Sequence, residues 1–340
     1  MERLIIDTDP GVDDAHAIMM AAAHPGAKIE AITAVGGNVG LEHTVRNALT
    51  IVEAIGQDIP VYAGCDGPLM SAGEDAAHVH GSDGLGDAGL RPQSRTAEKE
   101  HAAVALVRMV NESPGELTLV AIGPLTNIAV ALKLDPMLPY KIKRFVDMGG
   151  AVSSHGNTPN VSAEFNIYAD PEAAHIVFAA WHEANRVIEL IDWEATARHG
   201  IPLAMMNKWM ALDTPKARFF QKLSAATMAY VLKLSGGDFS FGEDLPDSGA
   251  ANNPHKEDNP LHEQRKALYD ADPLAMAVAL EPSCVVRAAK RYVTVEVNGR
   301  YTRGQTTVDW LNRSGQPANV SIIMEVNHQR FLDLIEQSLY

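Results

Sequence analysis

Only two cysteines, Cys65 and Cys284, occur in 340 residues, and they stand far apart. That is no disulfide framework, and it reads as two free thiols in a reducing cytosol. Lysine and arginine are outnumbered, 28 against 43 acidic residues, for a formal net charge of -15. The densest cationic group is Lys141, Lys143 and Arg144, too sparse to hold a phosphate backbone, so nucleic acid is excluded as a partner. No apolar run approaches the roughly 20 residues of a membrane span. The opening Met1-Glu2-Arg3 lacks the basic region and long apolar stretch of a signal peptide. The expectation is a soluble, cytoplasmic protein that does not engage a membrane.

What is present is ordinary for a globular chain, with 46% hydrophobic and 21% charged residues. Short apolar runs alternate with helical patterns. Strands are expected at 4–6, 29–35, 60–62, 117–122, 144–148 and 187–191, with helices at 14–23, 41–55, 102–110, 125–134 and 171–181 between and after them. A helix at 272–280, strands at 284–297 and 319–326, and a closing helix at 329–339 follow. This alternation predicts a single-domain α/β fold over 1–340, with an open, mainly parallel, Rossmann-like sheet and helices on both faces. Four strand ends carry glycine or turn residues: Asp9-Pro10-Gly11, Gly36-Gly37-Asn38, Gly123-Pro124 and Gly149-Gly150. In open α/β sheets ligands bind outside the carboxyl ends of the strands, so these ends predict one crevice. The stretch 235–265 is rich in Gly, Pro, Asn and Asp without apolar period. It reads as a surface loop or a lid near that crevice.

The anomaly is Asp7-Thr8-Asp9-Pro10-Gly11-Val12-Asp13-Asp14, four carboxylates beside the apolar Leu4-Ile5-Ile6. Strand periodicity sends Asp7 and Asp9 to one face, and Asp13 and Asp14 open a helix whose positive end favours them. A helix cap with solvated turn charges accounts for one or two aspartates, not four. A hard divalent cation accounts for the cluster, because calcium takes six to eight oxygen ligands. The spacing is not that of an EF-hand, so further ligands must come from distant strand ends, with Asp272 a suitable donor. A strand ending in Asp-x-Asp also suits a magnesium-dependent phosphatase of the haloacid dehalogenase type. That reading lacks a lysine at a strand end.

Asp7 to Ala15 resembles the signature of the inosine–uridine-preferring nucleoside hydrolases. Val35-Gly36-Gly37-Asn38, His78-Val79-His80-Gly81, Gly123-Pro124-Leu125-Thr126-Asn127, Met148-Gly149-Gly150, Ala163-Glu164-Phe165-Asn166, Asp170-Pro171-Glu172-Ala173-Ala174 and Asp272-Pro273 follow in the family's order. The resemblance implies hydrolysis of the N-glycosidic bond of ribonucleosides to base and ribose, with a tightly held Ca2+. It implies that Asp9, Asp14, Asp272 and the carbonyl of Ile122 bind calcium, and that Asp9 is general base for the attacking water. It implies that Asp13, Asn38, Glu164 and Asn166 hold the ribose. An asparagine that binds the 5′-hydroxyl has two candidates, Asn157 and Asn160. A homodimer or homotetramer is implied as well.

The pattern breaks where the family has a leaving-group histidine before Asp-Pro. Here the residue is Ala271, and Tyr269, His80, His255 and His262 are the candidate substitutes. Base preference (purine, pyrimidine or modified) therefore stays open. The missing histidine also motivates an alternative, a non-catalytic calcium-dependent nucleoside or ribose binder, although such a protein needs no base at Asp9.

Overall fold

The fold is that of a computed structural model in which residues 1–236 and 267–340 are described. Strand β1 (Glu2–Thr8) explains why an apolar run begins the chain. Leu4 and Ile6 belong to one hydrophobic layer and Ile5 to the other, and all three are fully buried. A strand covered on both faces has no solvent side, so its sequence does not alternate. β1 pairs in parallel with β2 (Ala27–Ala34) on one side and β4 (Leu117–Ala121) on the other. β3 (Val61–Ala63) lies beyond β2, while β5 (Arg144–Met148) and β6 (Ile188–Ile191) continue beyond β4. Further along come the short β7 (Ile201–Pro202) and β8 (Ala267–Leu268), then β9 (Val285–Arg291), β10 (Val293–Val295), β11 (Thr306–Val308) and β12 (Val320–Val326). The main sheet runs β3-β2-β1-β4-β5-β6-β12-β9, parallel except for the antiparallel edge strand β9.

The layer on Leu4 and Ile6 is built from α1 (Val12–Ala23), α2 (Leu41–Ile55), and the helices Ala271–Leu280 and His328–Gln337. After α3 (Ala77–His80), the opposite layer is built from α4 (Ala102–Glu112) and α5 (Thr126–Leu134). The short α6 (Leu138–Lys141) and α7 (Phe165–Ala169) lead to α8 (Pro171–Glu183), which completes that layer. α9 (Trp193–Arg198), α10 (Leu203–Met210) and α11 (Pro215–Gly236) follow β6, and Trp209 and Phe220 return the chain to the first layer. Among the described residues no helix is long and apolar enough to cross a membrane.

The order 3-2-1-4-5-6 reverses between β1 and β4. Connections leave these two strands toward opposite faces, which opens a crevice outside their carboxyl ends. Asp7 to Asp9 and Ile122-Gly123 flank it.

The α/β class, the parallel sheet and its strand positions agree with the sequence expectation. One expected strand divides: 284–297 becomes a turn at Pro282–Cys284, then β9 in the main sheet and β10 in a separate ribbon with β11. The Asn319 side chain separates them. Its Oδ1 accepts from Val293 N–H at 2.8 Å and its Nδ2 donates to Val293 O at 2.9 Å, occupying backbone that would otherwise pair with a strand. The expected loop at 235–265, with His255 and His262, lies outside the described residues except for its first two positions, which end α11.

Asp147 on β5 is fully buried, and neither of its carboxylate oxygens has a hydrogen-bond partner among the described residues. Burial pushes its carboxyl well above the usual range, reinforced by Glu164 and Asp7. An unsatisfied buried polar group costs about 1–3 kcal/mol. Asp147→Val, an apolar residue suited to a strand, is expected to raise the thermal midpoint by about 2–5 °C in scanning fluorimetry. A lowered midpoint would mean that this carboxyl contributes to the fold.

Candidate active site

The opening stretch folds as a strand, a three-residue turn and a helix. β1 ends at Thr8, Asp9-Pro10-Gly11 turns, and α1 starts at Val12. Thr8 Oγ1 donates to Asp14 Oδ1, and Gly11 N–H donates to Asp14 Oδ2 at 2.7 Å. Asp14 thereby closes the turn while standing at the helix start, where free amides favour a carboxylate. Asp9 Oδ2 accepts from Asn38 N–H at 2.7 Å, and Asn38 Nδ2 donates to Asp9 O at 3.2 Å and Asp14 Oδ2 at 3.3 Å. Asp7, though next to the turn in sequence, makes no side-chain hydrogen bond to it. Its Oδ2 accepts from Thr33 Oγ1 on β2 at 2.5 Å and from Asn127 Nδ2 on α5 at 2.9 Å.

Two glycines leave room for the Asp9 carboxylate. A Cβ on Gly37 would stand 2.2 Å from Asp9 Oδ2, and one on Gly123 would stand 2.6 Å from Oδ1. The strand-end glycines are thus space for a carboxylate, not only bends. Asp9 Oδ1 and Asp13 Oδ1 are buried and have no partner among the described residues.

The helix Ala271–Leu280 packs against α1 and brings Asp272 to the same place. Carboxylate oxygens of Asp13, Asp14 and Asp272 all lie within 4.8 Å of one another. Asp9 is not in that tight group, but its carboxyl is raised well above the usual range by burial and by the Asp14 charge. Burial, then the charge of Asp13, lifts Asp14 to about 7. Asp272 is also raised, by burial and then by Asp13, Asp14 and Asp9. Four carboxylates thus repel one another in a dry place, with two oxygens left unpartnered. All the donors are hard oxygens, which suits a divalent cation such as calcium or magnesium and not a thiolate-seeking metal. The residues present fit such an ion.

A cavity of about 240 Å³ opens beside the cluster, lined by Asp13, Asn38, Ile122, Asn157, Glu164 and Asn166 among others. The two asparagine candidates separate. Asn157 reaches the cavity, and its Oδ1 accepts from Phe165 N–H at 2.9 Å. Asn160 is outside the cavity lining and is used up in its own loop: Nδ2 donates to Arg303 O, and Oδ1 accepts from Thr158, Ser162 and Ala163. The structure therefore removes Asn160 from the candidate site. Glu164 faces the cavity, but both its oxygens accept backbone amides, from Gly150 and Ile167 at Oε2 and from Asn166 at Oε1. Even so, burial raises its carboxyl to about 7. Asn166 Nδ2 donates to Met148 O at 3.1 Å.

His80 and Tyr269 both line the cavity. His80 Nδ1 accepts from Val12 N–H at 3.3 Å and lies 3.7 Å from Asp13 Oδ1. Burial lowers its pKa against the pull of Asp13, so the neutral ring carries its proton on Nε2. Burial raises the Tyr269 phenol, whose ring meets Trp193 edge-on at 5.9 Å. Sequence reasoning missed His16, Ser224 and Trp193, which also line the cavity. A histidine amid Ala15 and Ala17 on an otherwise buried helix was the one available signal for His16.

A family model described as "Inosine-uridine preferring nucleoside hydrolase" matches residues 4–333. The pyrimidine-specific ribonucleoside hydrolase RihB of Escherichia coli O157:H7 is 34% identical, over 98% of this chain and 96% of its own length. Among solved structures, an inosine-guanosine nucleoside hydrolase superposes with a TM-score of 0.85 at 32% identity, covering 100% of this chain and 99% of that one. A purine-preferring ribonucleoside hydrolase from Gardnerella vaginalis gives 0.82 at 29% identity, covering 99% and 98%. The acidic turn, the crevice beside it and these matches along the whole chain lead to one conclusion: the chain belongs to the inosine–uridine preferring nucleoside hydrolase family, the enzymes that hydrolyse ribonucleosides.

Proposed function

We propose that the chain hydrolyses the N-glycosidic bond of ribonucleosides at the crevice between β1 and β4, using calcium held by Asp9, Asp14, Asp272 and the carbonyl of Ile122. The observation that carries this reading is the buried carboxylate cluster with Asp9 Oδ1 and Asp13 Oδ1 unpartnered. The ion, when bound, supplies positive charge that offsets the carboxylates and acidifies a water. Asp9 Oδ2 is held by Asn38, which leaves Oδ1 to take a proton from the attacking water. Asp13 belongs to the acidic cluster and also lines the cavity, and we assign it to a ribose hydroxyl together with Asn38, Asn157 and Asn166. Glu164 orders the Gly150 turn and the start of α7 that present Asn166, and it lines the cavity in which an oxocarbenium-like sugar would form.

The leaving base takes its hydrogen bond from His80 or Tyr269, both of which hold a proton at neutral pH in this setting. Relatives of similar identity are named pyrimidine-specific, inosine-guanosine and purine-preferring, so the base is not carried over from them. A homodimer or homotetramer is the assembly we expect, to be read by light scattering.

The test is chromatography of nucleosides incubated with the protein. Free base and ribose are expected from at least one common ribonucleoside. The matching 2′-deoxynucleoside is expected to react at least about 10²-fold more slowly, since an unpaired polar site rejects a substrate lacking its hydroxyl. Equal turnover of uridine and deoxyuridine would count against the ribose assignments. Binding without base release would favour the binder, and phosphate released from a phosphomonoester would favour the phosphatase.

A further inference from the structure

His16 joins two residues that neighbour the cluster but belong to other elements. Its Nδ1 lies 2.8 Å from Asp270 Oδ2, and its Nε2 lies 3.1 Å from Ser224 Oγ on α11. All three side chains are buried and all three line the cavity. The proton positions follow from the partners. A carboxylate oxygen accepts, so Nδ1 is the ring nitrogen that offers hydrogen to Asp270, and Nε2 meets the Ser224 hydroxyl. The ring also packs on Phe220, with centroids 4.2 Å apart. Its orientation is therefore held at both nitrogens and on one face.

Asp270 is the cap residue of the helix Ala271–Leu280 yet makes no side-chain cap bond. An aspartate there ordinarily accepts from an amide of its own helix, which is worth about 1 kcal/mol. Asp270 is turned away from that bond and toward His16. Its second oxygen, Oδ1, accepts no hydrogen bond among the described residues, and Asp270 lines the cavity. The neighbouring Ala271, also in the cavity lining, adds only a methyl group to the wall. The result is a carboxylate held at the cavity wall through one oxygen, with its other oxygen unbonded among the described residues, and outside the tight group of Asp13, Asp14 and Asp272.

We propose that Asp270 reads the leaving base by accepting a hydrogen bond from a ring N–H, and that His16 and Ser224 aim it. The assignment rests on the ribonucleoside reading above. Uracil and hypoxanthine carry a ring N–H where cytosine and adenine carry a ring acceptor, so the wall favours the first pair. In Asp270→Asn the amide oxygen would accept from His16 Nδ1–H, and Nδ2 would face the cavity as a donor. The preferred hydrogen-bond polarity of the base would then reverse.

The experiment measures kcat/KM for uridine against cytidine and for inosine against adenosine, using whichever pair is turned over. It adds 3-methyluridine or 1-methylinosine, whose ring N–H is blocked. The wild type is expected to favour the N–H base and to discriminate against the methylated one. D270N is expected to lower the N–H preference by at least about tenfold, because a mismatched polar contact is strongly rejected. His16→Leu should cause the same loss, and His16→Asn, whose Nδ2 can stand near the position of ring Nδ1, should restore the discrimination. Wild-type protein that hydrolyses the methylated and parent nucleosides equally overturns the proposal without any variant. Unchanged ratios in a folded D270N overturn it as well. Hydrolysis of 4-nitrophenyl β-D-ribofuranoside, which has no base to read, is assayed with wild type in parallel. Reporter cleavage with unchanged ratios removes only the Asp270 assignment, whereas no cleavage of reporter or nucleoside removes the ribonucleoside reading itself.

Discussion

Asp9→Asn is expected to lower kcat for base release by about 10²–10⁴-fold, the range that a positioned general base contributes. Asparagine keeps the acceptor that Asn38 N–H holds at 2.7 Å, so the turn should stay intact. What is lost is the basicity of the unpartnered Oδ1. Gly37 and Gly123 leave room for a side chain of this size, since a Cβ on either would meet it. Compared in the presence of chelator, the variant should therefore fold with a thermal midpoint close to wild type. Turnover reduced less than tenfold in a folded variant would remove Asp9 as the base.

Chelation is expected to stop turnover and to destabilise the protein, with calcium restoring both. An ion present at about 1,000 times its Kd stabilises by about 4 kcal/mol, so the thermal midpoint should rise clearly on reloading. The pH dependence has a definite sign. Without the ion Asp14 titrates at about 7, far above an unfolded aspartate near 4. The folded state then binds more protons than the unfolded chain, so the stabilising contribution is complete below the unfolded value and is lost as pH rises through about 7. The chelated protein should thus melt lower at pH 8 than at pH 5.5. Calcium competes with those protons, so its stabilising shift should be larger at pH 8. An equal shift at both values, measured by scanning calorimetry, would place the ion away from Asp14.

Much of the fold could be read before any coordinates, for a physical reason. Strands buried on both faces appear as short apolar runs without alternation, as Leu4-Ile5-Ile6 in β1 and Leu119-Val120-Ala121 in β4 do. The acidic turn was conspicuous because charge beside such a run demands compensation. What escaped depends on contacts between distant positions. His16 meets partners 254 and 208 residues away, so alone it looks like a core histidine. Asn319 interrupts a strand from 26 residues downstream. Asn157 and Asn160 are the same residue type three positions apart, and only the loop that binds Asn160 through Arg303 tells them apart. Asp7 adjoins the turn in sequence yet bonds to Thr33 on the neighbouring strand, since sequence shows adjacency along the chain and not across strands.

The Asn127 amide has consequences beyond its own size. Its Oδ1 accepts from Cys65 N–H, while its Nδ2 donates to Asp7 Oδ2 and Ala34 O. One side chain on α5 thus joins the ends of β1 and β2 to the segment after β3. Gly64 passes so close that a Cβ there would stand 2.1 Å from Asn127 Oδ1. Neither residue lines the cavity. Inheritance of the catalytic geometry therefore depends on a clasp behind the reacting groups, and tolerance to random substitution should be as narrow at Asn127 and Gly64 as at the aspartates themselves.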